Sequence, residues 1–438
     1  MKKLKISKNI RLLFLLAALL FAAAVFAPAT AKAKELTSGK CGSRVEYSFD
    51  SETGTLTISG KGDMADFDPN GKKSPFAENK KIEAVIVEDG VTGIGAWAFY
   101  DCYSLKSVSL GKDVKKVADA AFMGCINLKD LTMQEGVEQI GERAFEHCKA
   151  LYTIDLPESV TSVGEYAFDN TGYYRKKSNW ENNALYLGTV LITGRYNEAY
   201  LDSKRQGAKP YVSDVNQVYK TVSGMVTGNY TVKEGTTVIV DRAFFLCGMT
   251  GVTLPESLQK IGAKAFYGTK LSSVEIPAGI TTLEASAFEQ CKSLGSVKLP
   301  KNLMELKEKV FRDCTSLEKI TFPKKLAAIG DGAFDGSGLK SVTIPKNVKG
   351  VGKEAFSDCE SLKKVTIKSG VKAVGDKAFY NCKSLKSVTI PKSVSTIGTH
   401  AFGFEKSRVK EGFKIKGYKG SAAQEYAKKH GIKFVAVK

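Results

Sequence analysis

Ser384-Leu385-Lys386-Ser387-Val388-Thr389-Ile390-Pro391, followed by Val394, Ile397-Gly398 and Ala401-Phe402, is one unit of a pattern that recurs along most of the chain. Its Leu-x-x-Val-x-Ile-Pro part alternates apolar and polar residues, as a short strand with one buried face must. Pro391 ends that strand because it has no N–H to give to a ladder. The Ile-Gly-x-x-Ala-Phe part turns the chain back on the far side. Outward from this unit, Phe recurs at 99, 122, 145 and 168 and again at 244, 266, 288, 311, 334, 356, 379 and 402, spaced by 22 or 23 residues except across one gap. Ala precedes every one of these but Phe311, which follows Val310. Strand centres fall at Val85, Val108, Leu131, Ile154, Val232, Val252, Val274, Val297, Ile320, Val342, Val365 and Val388, which makes twelve units. One unit cannot bury its apolar face alone, whereas stacked units share a continuous core. At ~4.8 Å per strand the stack would run on the order of 55 Å.

The consensus Ala-Phe-x-x-Cys-x-x-Leu-x-x-Val-x-Ile-Pro-x-x-Val-x-x-Ile-Gly resembles that of BspA-like leucine-rich repeats, found in secreted and surface proteins of bacteria and some mucosal protists. The resemblance runs from about residue 81 to 409, apart from the gap. It implies an α/β fold: a leucine-rich repeat solenoid with parallel strands on the concave face and about 12 repeats of 22–23 residues. The expected organisation is a signal peptide (1–33), an N-terminal cap (34–80), a first repeat block (81–168), an insert with a hairpin (169–230), a second repeat block (231–409) and a strand-helix-strand C-terminal cap (410–438). Leu56-Thr57-Ile58-Ser59-Gly60 is similar to the family's N-terminal cap and Gly417-Tyr418-Lys419-Gly420-Ser421-Ala422-Ala423 to its C-terminal one. Ser421 is expected to cap a helix, with Gln424 completing a capping box. Lys428, Lys429 and His430 would fill the last turn, Gly431 would take a left-handed conformation, and Ile432 to Val437 would form a last strand.

The N-terminus reads as a secretory signal. Lys2, Lys3, Lys5, Lys8 and Arg11 precede the apolar run Leu12 to Ala27, and Ala31-Lys32-Ala33 offers a small-x-small cleavage site. The run is short for a membrane span. The formal net charge is +19, and it is divided unevenly: residues 291–438 hold 31 Lys and Arg against 13 Asp and Glu, a net +18, while 34–290 carry −5. A basic half attracts anionic partners through a salt-sensitive field, and it also keeps a chain soluble.

Cys102, Cys125, Cys148, Cys247, Cys291, Cys314, Cys359 and Cys382 each stand three residues after the repeat Phe, so they are read as a buried ladder of free thiols rather than as disulfides. Thr171, Thr269 and Ser337 occupy the same position in other units, and Cys41 lies outside the ladder. The three histidines, His147, His400 and His430, are isolated in sequence, and the repeat geometry is expected to place none beside another. Gly93-Ile94-Gly95-Ala96-Trp97-Ala98 matches a dinucleotide fingerprint only because it is the repeat's own Ile-Gly turn. Asp66-x-Asp68-x-Asn70-Gly71 opens like a calcium loop, but its twelfth position is Ala77 and Pro69 interrupts it. No paired carboxylates and no Gly-x-Ser-x-Gly elbow occur, so no catalytic residues, metal or cofactor are expected.

Two places remain for binding. The insert holds Tyr173, Tyr174 and Trp180 among basic residues, which suits carbohydrate stacking or a protein hot spot, and equally a structural hairpin around Gly188. The outward strand residues are rich in Ser and Thr, with acid early and Lys late, and Lys301, Lys324, Lys346 and Lys392 form a row at the strand ends. The family resemblance implies adhesion to matrix proteins and other cells. The expected function is therefore a secreted, non-catalytic protein that binds host or microbial surface components, the partner being an extracellular protein or glycan. The alternative is an envelope protein held by ionic contact with anionic wall polymers.

Overall fold

The computed structural model describes residues 36–194 and 226–437. Residues 1–33, read above as a signal peptide, and residues 195–225 of the insert lie outside the described residues. Gly39–Lys438 forms one unit, a β-solenoid of parallel strands with about 14 turns.

Most repeats lay down two strands, and the second was not foreseen. In the main ladder Thr55–Gly60 pairs in parallel with Ala84–Val87, which pairs with Ser107–Ser109 and then Asp130–Thr132. Ser341–Ile344, Lys364–Ile367, Ser387–Thr389, Lys414–Gly417 and Lys433–Ala436 continue the same arrangement at the other end. A second ladder is built from the Ile-Gly stretches, which the sequence suggested were plain turns. It runs from Gly62–Asp63 to Ser162–Val163 and from Thr282–Leu283 to Thr396–Ile397. These two-residue strands form because each stretch lies directly on its equivalent in the repeat before. The contact leaves no room for a side chain at the glycine: a Cβ on Gly352 would sit 2.5 Å from the carbonyl carbon of Gly330. Helix is confined to Gly172–Arg175, a short 3-10 turn after it, and Ala422–Lys429 among the described residues.

Alternation decides which residues enter the core. Val108, Leu110, Val342, Ile344, Val388 and Ile390 are buried, while Ser109, Thr343 and Thr389 between or beside them are exposed. Two of the expected strands do not form: neither 151–157 nor 317–323 adopts strand structure, although Ile154 is buried.

The repeat phenylalanines stack through the core with ring centroids 5.0–5.7 Å apart, as in the pairs Phe99–Phe122 and Phe288–Phe311. Offset or parallel ring pairs add to area burial by about 0.5–1.5 kcal/mol each. Phe76 heads this stack, 5.2 Å from Phe99, so the stacked core begins inside the segment assigned to the N-terminal cap. Around each Phe the turn carries its own hydrogen-bond ladder. Arg143, Phe145 and His147 donate their N–H groups to the carbonyls of Glu165, Ala167 and Asp169 in the next repeat at 2.8–2.9 Å.

The ends are closed by tyrosines. Tyr47 meets Phe76 edge-on at 4.9 Å, and Tyr426 meets Phe402 edge-on at 6.4 Å. The Tyr426 hydroxyl accepts the Phe402 N–H and donates to the Phe402 carbonyl, both at 3.0 Å. It supplies the two bonds that a further repeat would otherwise provide. The C-terminal capping box differs from expectation. Ser421 makes no side-chain bond to the helix; its hydroxyl donates to the Tyr418 carbonyl at 2.6 Å, and Gln424 reaches one residue further back to accept the Gly420 N–H at 2.7 Å. The preceding turn offers Ser421 a nearer acceptor than the helix offers donors.

The expectation that no histidine lies beside another is also corrected. The cap helix folds back over the last repeat and brings the His400 and His430 rings to 6.0 Å, with Phe404 beside both. Linear spacing cannot show this, because His430 lies in the cap and not in the repeat register.

Candidate functional site

The outward strand residues make an open face over the main ladder. In its later rungs one column runs Thr343, Thr366 and Thr389 in register, ending at Lys416. The neighbouring column alternates, with Ser341 paired to Lys364 and Ser387 to Lys414. Lys301, Lys324, Lys346 and Lys392 are all exposed. None of the four takes part in an ion pair among the described residues, whereas Lys106, Lys340 and Lys115 pair with Glu83, Glu318 and Glu138 of adjacent repeats at 2.7, 2.7 and 3.1 Å. Those exposed pairs stabilise little, but they neutralise their lysines, which the rim row does not share.

One part of this face lies beside the missing strand at 317–323. Ile320 and Phe322, inward by register, are only half-buried, and the sheet resumes at Ser341–Ile344. A groove of about 620 Å³ is lined from both, with Phe322, Pro345, Lys346 and, from the rung after, Lys368 among its lining residues. Lys368 stands where the flanking repeats place Pro345 and Pro391. Its backbone N–H donates to the Ile344 carbonyl at 3.1 Å, a bond that proline cannot make. Sequence reasoning missed this place. The departure of Lys368 from the repeat was its one visible signal.

The insert sits elsewhere, between the rungs of Phe168 and Phe244, and Phe244, Phe266 and Phe288 all precede the first rim lysine, Lys301. Its hairpin, Ala184–Leu187 against Val190–Gly194, extends the second ladder by pairing Val190 and Leu191 with Val238 and Ile239. Tyr173, Tyr174 and Trp180 are half-buried. The Tyr173 hydroxyl donates to the Tyr186 carbonyl at 2.9 Å, the Trp180 indole N–H donates to the Tyr174 carbonyl at 2.6 Å, and the Tyr174 and Trp180 rings meet edge-on at 5.1 Å. Their polar atoms therefore hold the insert's own turn together.

Beside the insert the two repeat blocks meet across a polar cleft of about 540 Å³. Arg242 pairs with Glu165 at 2.7 Å, and Lys260 donates to Ser162 at 3.0 Å. Burial raises the Glu165 carboxyl above the usual range and Arg242 opposes that. Asp241 is raised by burial too, and its carboxylate accepts the Ala263 N–H at 2.7 Å. Asp119, Asp331 and Asp376 hold the same bond to the following repeat, at 2.6–2.9 Å. The acids of this cleft thus serve the repeat itself. Asp66 and Asp68 of the calcium-like stretch likewise accept the N–H groups of Ala96 and Asn70, both at 2.8 Å.

All nine cysteines are free and buried. Seven of the eight in the turn position, Cys247 being the other, donate their thiol to the Phe carbonyl of the preceding repeat at 3.0–3.2 Å, as Cys125 does to Phe99 at 3.1 Å. Burial pushes the Cys291 and Cys359 thiols up to about 12 and Cys41 to about 11. A thiol held neutral in this way is a poor nucleophile.

Among solved structures the chain is similar to a leucine-rich repeat protein from Eubacterium ventriosum, at 21% identity over 83% of this chain and 94% of that one with a TM-score of 0.34. A leucine rich cell surface protein from Faecalibacterium prausnitzii is 22% identical over 90% and 98%, with a TM-score of 0.35. The pneumococcal vaccine antigen PcpA is 15% identical over 91% and 100%, with a TM-score of 0.38. No curated protein sequence matches the chain. Six copies of the BspA type leucine rich repeat region match residues 72–188, 226–338 and 327–410, well over half of the sequence, and the chain belongs to that family.

Proposed function

We propose that this chain is a secreted, non-catalytic binding protein that acts at or outside the cell surface, engaging host or microbial surface components through its open sheet face. The observation that carries the reading is that face itself: Ser, Thr and Lys side chains stand exposed in register over the later rungs, with no element of the described structure laid across them. A solenoid presents such a face as a long, regular surface, which is how repeat arrays bind. The acids in its clefts are occupied by backbone N–H groups and by Arg242, which supports binding over catalysis. Among the described residues no helix is long and apolar enough to cross a membrane.

The second reading, retention on an anionic wall polymer, is favoured by the unpaired row Lys301, Lys324, Lys346 and Lys392. One experiment separates the two. Residues 34–438 are tested for binding to isolated bacterial wall and to host matrix proteins across a salt series, beside a variant carrying Lys301→Glu, Lys324→Glu, Lys346→Glu and Lys392→Glu. Adhesion requires salt-tolerant binding to a matrix protein that survives the reversal. Wall binding that collapses with salt and with the reversal replaces it by ionic retention. Binding to neither overturns both.

A further inference from the structure

We infer that the groove between Phe322 and Lys368 is a binding site for a carboxylated sugar residue of an acidic glycan. The inference rests on the proposed surface-binding role and names the chemistry that the face would recognise. Two departures from the repeat coincide here: the strand at 317–323 is lost, and Lys368 replaces proline. At the first, Ile320 and Phe322 are half-exposed, as Val297 and Leu299 are in the preceding rung, while Val342 and Ile344 across the groove are buried. The second adds another lysine to a lining that already holds Lys346.

The lining has three kinds of surface in one place. Phe322 and Pro345 are flat and apolar, Thr321, Ser341, Thr343 and Ser369 carry hydroxyls, and Lys346 and Lys368 are cationic. A pyranose ring matches the first two, because its C–H face packs on apolar rings while its hydroxyls need partners. A carboxylate on that ring matches the third. A polyphosphate would satisfy only the lysines, and an apolar peptide would leave the hydroxyls and ammonium groups unanswered. The volume of about 620 Å³ falls within the roughly 300–1,000 Å³ of small-ligand sites. The net +18 over residues 291–438 draws an anionic chain toward this half of the molecule.

The test is calorimetric titration of residues 34–438 with trigalacturonate, its methyl ester and tripolyphosphate. Trigalacturonate is expected to bind saturably, the ester and tripolyphosphate at least about tenfold more weakly. Lys346→Gln with Lys368→Gln is expected to remove about tenfold in affinity, while Lys292→Gln with Lys419→Gln, exposed lysines outside the groove and the rim row, leaves it within about twofold. Phe322→Leu, checked for an unchanged circular dichroism spectrum and melting transition, is expected to weaken trigalacturonate and leave tripolyphosphate unaffected. Equal binding of tripolyphosphate, equal loss in the two lysine pairs, or no binding of trigalacturonate overturns the inference. Wall and matrix binding by the same preparations is scored separately. If it persists while trigalacturonate fails, the sugar site falls and the surface-binding reading stands.

Discussion

At the scale of single residues, the repeat spends conformational strain to keep its turn tight. The residues two before and two after each repeat Phe from Phe99 to Phe379 sit in the left-handed region, as Lys377 and Asn381 do around Phe379 with φ of 51° and 55°. Non-glycine side chains there cost about 1–2 kcal/mol each. The turn tolerates this because its N–H groups then point straight at the next repeat. The cysteine that follows fills the space inside the turn and gives the Phe carbonyl a second donor. Ser337 and Thr269 fill the same place and contact the next repeat's sulfur, at 3.2 Å to Cys359 and 3.3 Å to Cys291. Cys359→Ser is therefore expected to change the urea midpoint little. Cys359→Ala, which leaves the Phe334 carbonyl with one donor fewer and opens a small void, is expected to cost about 1–2 kcal/mol. Equal losses in both variants would show that sulfur volume, not the donated bond, matters at this position.

At the scale of the turn as an element, adjoining repeats are tied by charge as well as by backbone. Arg312 lies 3.2 Å from Asp335 of the next turn. Burial nevertheless raises the Asp335 carboxyl from 3.8 to about 6, with Arg312 opposing and Asp358 adding to the shift. A carboxyl whose folded pKa is raised binds its proton more tightly in the folded state than in the unfolded one. Its contribution to stability thus grows as pH falls from 7 through 6 toward 4. Comparison of urea midpoints at pH 7 and pH 4.5 should show the wild type gaining on Asp335→Asn at the lower pH. Parallel behaviour of the two proteins would place the Asp335 pKa near its ordinary value and remove the argument.

At the scale of the whole molecule, a solenoid is stabilised by neighbour contacts, so its ends decide whether the outer rungs stay closed. Tyr426 substitutes for an absent repeat at the C-terminal end, through one hydroxyl that both accepts and donates. Tyr426→Phe keeps the ring against Phe402 and removes both bonds. The expected cost is about 1–3 kcal/mol, read as faster amide exchange in the rungs of Phe402 and Phe379, with the rungs of Phe99 and Phe122 unchanged. Uniform acceleration along the chain would mean that the array unfolds as one unit rather than rung by rung. The charge division belongs to this scale as well. The basic half holds 31 Lys and Arg against 13 Asp and Glu, so attraction of an anionic surface is directed to one end of the array.

The period of Phe, the alternation of Leu-x-x-Val-x-Ile and the position of Cys were enough to define the family, the stacked architecture, the inward residues and the first regular strand at Ala84–Val87. These are local patterns repeated many times, and repetition makes a weak periodic signal unmistakable. What depended on contacts between repeats was not legible. The second ladder arises only when Ile-Gly stretches lie on one another, and His400 meets His430 because the cap folds back; Phe76, by contrast, stands one 23-residue period before Phe99 and was legible by spacing, though Pro75 and not Ala precedes it. The groove is of the same kind. Lys368 in place of proline is visible in the sequence, but the loss of the strand at 317–323, two rungs before it, is not. The sequence determines a regular array because each unit repeats the same local instructions; the tertiary structure alone decides where that regularity fails, because failure is a property of two adjacent units and not of either one.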